Sequence, residues 1–111
     1  MADNEYNSGA SYKASDVVTT QQVRFTSILG YNSGPAQFIM IFDANVVPAN
    51  GAIPRYAMKV AAASSYALDF GGNGRYFDHG IVWANSTTMP TLTAGAADNW
   101  VMIGYANKVT Q

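Results

Sequence analysis

The 111-residue chain has no cysteine, a single histidine and few charges of either sign. Without cysteine there is no disulfide scaffold, no thiol nucleophile and no thiolate-bound zinc. One histidine, His79, and scattered carboxylates supply no metal-ligand spacing, so no metal or other cofactor is expected. Charged residues make up 12% of the chain, about half the usual share of roughly 25%. Its six basic residues, Lys13, Arg24, Arg55, Lys59, Arg75 and Lys108, are dispersed, and the net charge is −1. Affinity for nucleic acid comes mainly from clustered cations, so no nucleic-acid partner is expected. No apolar run approaches the roughly 18 residues that span a bilayer. The opening residues lack the basic start and apolar centre of a secretory leader, and cytoplasmic synthesis is the expectation. A helical period is also missing. The best candidate, AAASSYAL (Ala61 to Leu68), has neither a capping residue nor charged partners.

What the chain does have is apolar and alternating. Hydrophobic residues make up 49% and aromatic residues 13%, enough for one modest core at this length. Residues 1–15 are polar and aperiodic and read as an arm, carrying Tyr6 and Tyr12. Fully extended it reaches about 50 Å, far enough to touch a neighbouring subunit. From Val17 onward the period is two. Val23, Phe25, Ser27, Leu29 and Tyr31 fall on one face of a strand, with Arg24, Thr26, Ile28, Gly30 and Asn32 on the other. Gln37 to Asp43 (QFIMIFD) and Trp100 to Tyr105 (WVMIGY) are apolar on both faces. The first of these is expected to be covered by the core on one side and by a partner on the other. Asn50-Gly51 between Pro48 and Pro54 marks a turn. Tyr56, Met58 and Val60, then Tyr66, Leu68 and Phe70, then Phe77, His79, Ile81 and Trp83 continue the alternation. Short strands at this spacing, about seven or eight of them, predict an all-β antiparallel sandwich, jelly-roll-like, over residues 16–111.

The stretch DFGGNGRYFDHG (Asp69 to Gly80) holds three motifs that suggest chemistry. Asp69-Phe70-Gly71 matches the metal-binding tripeptide of kinases, but the phosphate-covering loop, strand lysine and catalytic loop that give it meaning are absent. Gly71-Gly72-Asn73-Gly74 lacks the Lys-Ser/Thr and the following helix of a nucleotide-cradling loop. His79 shares an apolar alternation with Phe77, Ile81 and Trp83, without a nucleophile elbow nearby. The stretch therefore reads as strand, glycine turn and reversed strand, with no catalytic residue. Aromatics are the other candidates for recognition. Tyr6, Tyr12, Tyr31, Tyr56, Arg75, Tyr76, Trp83 and Trp100 are the positions expected to face an interface or ligand, although both tryptophans lie in apolar stretches that also suit a core.

FDANVVPANGAIP (Phe42 to Pro54), LDFGGNGRYFDHGIVWANSTT (Leu68 to Thr88) and DNWVMIGY (Asp98 to Tyr105) resemble a diffuse group of small bacteriophage virion proteins. The shared features are an "FDA…P…G…P" strand and loop, an aromatic-Arg-Phe segment leading to "GI", and a terminal tryptophan strand. The resemblance spans about Phe38 to Tyr105. It implies a β-sandwich of the head-decoration (cement) or tail-accessory kind, and no catalytic residues come with it. It also implies a virion location, the major capsid protein or other virion proteins as partners, and a homo-oligomer, with a trimer favoured. A low-charge surface suits such contacts, because interface centres are depleted in charge. A carbohydrate- or receptor-binding module of a phage tail, built on the same sandwich, is the alternative.

Overall fold

The computed structural model describes residues 3–107. Nine strands make two sheets, and every pairing is antiparallel: β1 (Asp3–Asn7), β2 (Ser15–Thr19), β3 (Val23–Asn32), β4 (Gln37–Phe42), β5 (Tyr56–Val60), β6 (Ser64–Asp69), β7 (Arg75–Phe77), β8 (Ile81–Ser86) and β9 (Asn99–Asn107). The larger sheet has the order β1-β9-β3-β6, with β7 also on β3, and the smaller one β2-β8-β4-β5. Every connection except β4–β5 and β6–β7 crosses from one sheet to the other, as a β-sandwich requires. Phe25, Ile28, Ile39, Ile41, Phe77, Ile81, Trp83, Val101 and Ile103 form the core between the sheets.

Two expectations change here. Asp3–Asn7, read as belonging to a free arm, is instead an edge strand of its own sheet, with Tyr6 opposite Ile103. Its tyrosine supplies the apolar payload that pins an otherwise polar segment. AAASSYAL, in line with its missing helical signals, is a turn leading into β6, where Tyr66 and Leu68 alternate onto the core while Ser65 and Ala67 face out. The second face of β4 is covered by its own chain. Met40, Phe42, Val82 and Ala84 pack with Leu92 beneath the 43–55 and 87–98 connections. Those connections are tied together by Gly51 N–H to Leu92 O (2.8 Å), Leu92 N–H to Ala52 O (2.9 Å) and Ala94 N–H to Asn50 Oδ1 (2.9 Å).

The alternation along β3 also breaks. Its register against β9 slips between Phe25 and Ser27, leaving Thr26 as the extra residue of a β-bulge. Val23 and Phe25 point inward. Beyond the bulge it is Ile28, Gly30 and Asn32 that point inward, and Leu29 and Tyr31 turn to the surface. A one-residue offset exchanges the two faces of a strand, so the face read as continuous from Val23 to Tyr31 is split in two.

The glycine stretch does not reverse the chain. β6 pairs with Ser27–Asn32 and β7 with Val23–Phe25 along the same edge of β3, running in one direction. Residues 70–74 are an excursion from a single interrupted strand, lying opposite the β3 bulge. The Thr26 carbonyl accepts from Phe70 N–H (2.8 Å), and Asp69 Oδ1 accepts from Gly71 N–H (2.7 Å). Gly74, at φ +66°, has no room for a Cβ, which would stand 2.6 Å from the Phe25 carbonyl oxygen. The Arg24 guanidinium donates to the carbonyls of Gly72 (3.1 Å) and Asn73 (3.2 Å). Two of the loop's carbonyls thus meet a cation, the opposite polarity to the amide-lined nest that an anion needs.

The two flanks of the sandwich differ. On the β1–β2 flank, Tyr6 Oη donates to Asp16 Oδ2 (2.5 Å) and accepts from Trp83 Nε1 (3.3 Å), and Lys13 Nζ reaches Asp16 Oδ2 at 3.0 Å. Burial pushes the Tyr6 phenol up, and its bond to Asp16 adds to that. Burial alone would raise Asp16, but the donors from Tyr6, Lys13 and the Val17 amide outweigh it and hold the carboxyl below its usual range. Among the described residues the β5–β6 flank has no such latch.

Candidate functional site

The outer face of the larger sheet is less covered than that of the smaller one, with Trp100 and Met102 half-buried and Leu29 and Tyr31 exposed. Beyond the bulge, β3 presents Leu29 (48% exposed) and Tyr31 (36%). Val101 and Ile103 are fully buried, so their neighbours Trp100 and Met102 point the other way. The register sets Trp100 opposite Tyr31 and Met102 opposite Leu29. On the other side, β6 sets Ser65 opposite Tyr31 and Ala67 opposite Leu29. Tyr12, in the β1–β2 connection and 47% exposed, lays its ring 6.5 Å from that of Tyr31 at a 35° tilt. The result is an apolar and aromatic patch from Tyr12 across Tyr31 and Trp100 to Leu29 and Met102. Among the described residues, charges stand at its margins: Asp3 opposite Ala106 and Glu5 opposite Gly104, Asp69 opposite Ser27, and Lys13 in its ion pair with Asp16.

Of the positions singled out from the sequence, Tyr12, Tyr31 and Trp100 come together here. Trp83 is 0% exposed, and Tyr6 packs against the core beside it. Tyr56 also packs on the core, with its ring 5.1 Å from Phe70 and 6.2 Å from Phe77. Arg75 lies over the Phe70 ring at 5.0 Å. Tyr76 points outward opposite Arg24, beyond the bulge from the patch. Leu29 and Met102 were not among the candidates. The small polar pair Thr26-Ser27, between Phe25 and Ile28, is the one sign of the bulge that exposes Leu29.

His79 does not continue a strand with Phe77 and Ile81, because β7 and β8 belong to different sheets. It lies in the corner between them, with its side chain 69% exposed. Asp43 organises that corner. Its Oδ2 accepts from Asp78 N–H (3.1 Å), and its Oδ1 accepts from His79 N–H (2.8 Å). Arg55 Nη1 stands 3.7 Å from Asp43 Oδ2 and donates to the Tyr76 carbonyl. His79 Nδ1 is 3.5 Å from Asp43 Oδ1. The carboxylate is thus engaged by backbone amides and a guanidinium, as a structural acceptor. Asp43→Ala leaves both corner amides without their acceptor and is expected to cost about 1–2 kcal/mol in urea unfolding. Asp43→Asn, which keeps one acceptor oxygen, is expected to cost less. Equal stability of Asp43→Ala and the parent would remove this role.

Among the described residues no group of three or more His, Cys, Asp or Glu side chains is placed to hold a metal, and no helix is long and apolar enough to cross a membrane. No protein-family profile matches the chain, and no curated protein matches it significantly. Among solved structures it is similar to the coat protein of Tobacco streak virus in a C2 crystal form, at 11% identity and a TM-score of 0.46, covering 98% of this chain and 89% of that one. It is also similar to the dimer of the same coat protein, at 11% identity and a TM-score of 0.49, covering 98% and 88%. A likeness of this order carries no inference about function.

Proposed function

We propose that the chain is a non-enzymatic virion structural protein that decorates or cements a bacteriophage capsid, bridging neighbouring subunits as a homo-oligomer. The observation that carries this reading is the uncharged face of Tyr12, Leu29, Tyr31, Trp100 and Met102. Aromatic residues and methionine are enriched at interface centres, where charge is depleted. The chain covers the second face of its smaller sheet with its own loops and leaves this one partly open, with Tyr12, Leu29 and Tyr31 exposed. Burying a large apolar side chain contributes about 1.5–3 kcal/mol, while association costs about 4–15 kcal/mol. A patch of five such residues is therefore weak alone and effective when repeated across a lattice. The motifs shared with small phage virion proteins favour the same reading, with the major capsid protein or another virion component as partner.

The test is co-sedimentation with purified particles, with copies per particle counted by mass spectrometry. Tyr31→Glu places a charge in the centre of the face while leaving the core intact. It is expected to change stability by less than about 1 kcal/mol and to reduce particle binding at least tenfold, on the order of the 1.4 kcal/mol that a factor of ten represents. Hundreds of copies on wild-type particles and few with the variant support a shell component. No copies on wild-type particles would end the virion reading.

The ring pair of Tyr12 and Tyr31 beside Trp100 also suits a second reading, a carbohydrate- or receptor-binding module of a phage tail. Trp83 is sealed in the core, so a fluorescence shift on adding a saccharide would report Trp100. That shift would vanish in Trp100→Phe. Its absence across a saccharide panel would leave the assembly reading alone.

A further inference from the structure

On the flank opposite the Tyr6–Asp16 latch, the edge strands β5 and β6 face each other across the sandwich. Ile39, Ile41, Tyr56, Ala57, Met58, Leu68 and Phe70 line an open apolar cleft of about 90 Å³ there. Its two lips are β5 and β6, each the last strand of its sheet, with no strand beyond them among the described residues. Their outer backbone groups are a template for another strand. The charges at the mouth are unequally engaged. Arg55 is held by Asp43 and the Tyr76 carbonyl, and Asp69 accepts from the Gly71 amide. Arg75 lies over Phe70 at 5.0 Å and donates to the Gly74 carbonyl at 3.3 Å. It makes no ion pair among the described residues, so the apolar cleft ends at a cation that lacks a counter-charge.

We propose that this cleft and the free edge of β6 take an extended segment of a partner protein that adds as a strand. One branched aliphatic side chain enters between Met58 and Leu68, and an acidic side chain two residues away meets Arg75. The spacing follows from strand geometry. Residues i and i+2 share a face about 7 Å apart, and that step leads from the Leu68 end of the cleft toward Phe70 and the guanidinium above it. The cleft takes one such side chain and is too small for a lipid acyl chain. Backbone pairing supplies the affinity and the two side chains the selectivity, as in other strand-addition sites. This site is separate from the outer face and does not depend on what that face binds.

The probe is an eight-residue threonine peptide with leucine at its fourth position and glutamate at its sixth, titrated into the full chain. Saturable binding is expected, with NMR shifts at the methyl groups of Ile39, Met58 and Leu68 and slowed amide exchange along Ser64–Asp69. Replacing the leucine by alanine or the glutamate by glutamine is expected to weaken binding about tenfold. Arg75→Gln, at an exposed position, is expected to erase the preference for glutamate over glutamine while leaving the leucine preference intact. No binding would overturn the proposal, as would equal binding of a peptide with lysine in place of the glutamate. Occupancy by hexanoate as strong as by the peptide, without protection of β6, would assign the cleft to small amphiphiles instead. Protection of β6 that rises with protein concentration alone would assign it to a second copy.

Discussion

Gly80→Ala is expected to destabilise the protein by about 3–5 kcal/mol, a large share of the roughly 5–15 kcal/mol that holds a small domain together. Gly80 lies where the chain passes from β7 in one sheet to β8 in the other, at φ +131°. This backbone region is essentially closed to residues with a side chain. The surroundings are closed as well. A Cβ would stand 2.2 Å from the Thr19 carbonyl oxygen and 2.8 Å from that of Ala44. Both obstacles are backbone, so no rotamer change relieves them. Gly72→Ala is the matched control, because nothing lies within 4 Å of its added methyl. It is expected to change stability by no more than about 0.5 kcal/mol. Urea unfolding of the two variants beside the parent is the measurement. Similar midpoints for Gly80→Ala and the parent would mean that the corner is loosely packed and that Asp43 organises little.

The second large effect belongs to the Tyr6–Asp16 latch. Tyr6→Phe removes the phenol that donates to Asp16 and accepts from Trp83, leaving the indole N–H without its partner inside the sandwich. A lost bond to a charged acceptor together with a newly unsatisfied buried donor is expected to cost about 2–4 kcal/mol near neutral pH. The effect depends on pH, with a definite sign. The Asp16 carboxyl is held below its unfolded value near 3.8. Its contribution is therefore fully present above that value and is lost as pH falls through the lower, folded one. Wild type and Tyr6→Phe should accordingly differ most at pH 6, and the gap should narrow as pH falls below 3.8 toward the lower folded value, leaving the share that belongs to the tryptophan contact. Asp16→Asn should flatten the acid limb in the same way. A difference between Tyr6→Phe and wild type that stays constant from pH 6 to acid would place the whole effect in the tryptophan contact and none in the carboxylate.

The all-β character could be read directly. Alternation at Tyr56-Met58-Val60 and Tyr66-Leu68 falls on β5 and β6 with those residues facing the core, and the doubly apolar QFIMIF is β4. What could not be read was set by pairing partners distant in sequence. The second apolar face of β4 is as well explained by a partner as by the chain's own 43–55 and 87–98 connections, and only the hydrogen bonds between Gly51, Ala52 and Leu92 decide it. A glycine cluster between two strand patterns usually means a reversal. Here the next strand continues along β3 because Arg24 and the Thr26 carbonyl hold the excursion against the bulge. The candidate face was incompletely legible. Tyr12, Tyr31 and Trp100 stand out as aromatic residues, but Leu29 was assigned with Val23 and Phe25 because a one-residue bulge carries almost no compositional mark. Tyr6 and Trp83 failed as surface candidates for the same reason that makes them good core: each is a large ring with one polar atom that finds its partner inside.

The pairing of β1 with β9 has a mechanical consequence. Asp3 lies opposite Ala106, so the two ends of the described chain leave the sheet at the same corner. Tension applied between them would load the ladder at that corner, and hydrogen bonds lying across the strands would rupture in sequence, rung by rung. The same ladder pulled along its length would have to break many rungs together. The β1–β9 ladder is therefore soft to tension across its strands and stiffer to tension along them. Tethers or fused cargo attached at both ends would peel β1 away first, at low force, exposing the Tyr6 side of the sandwich before the core yields.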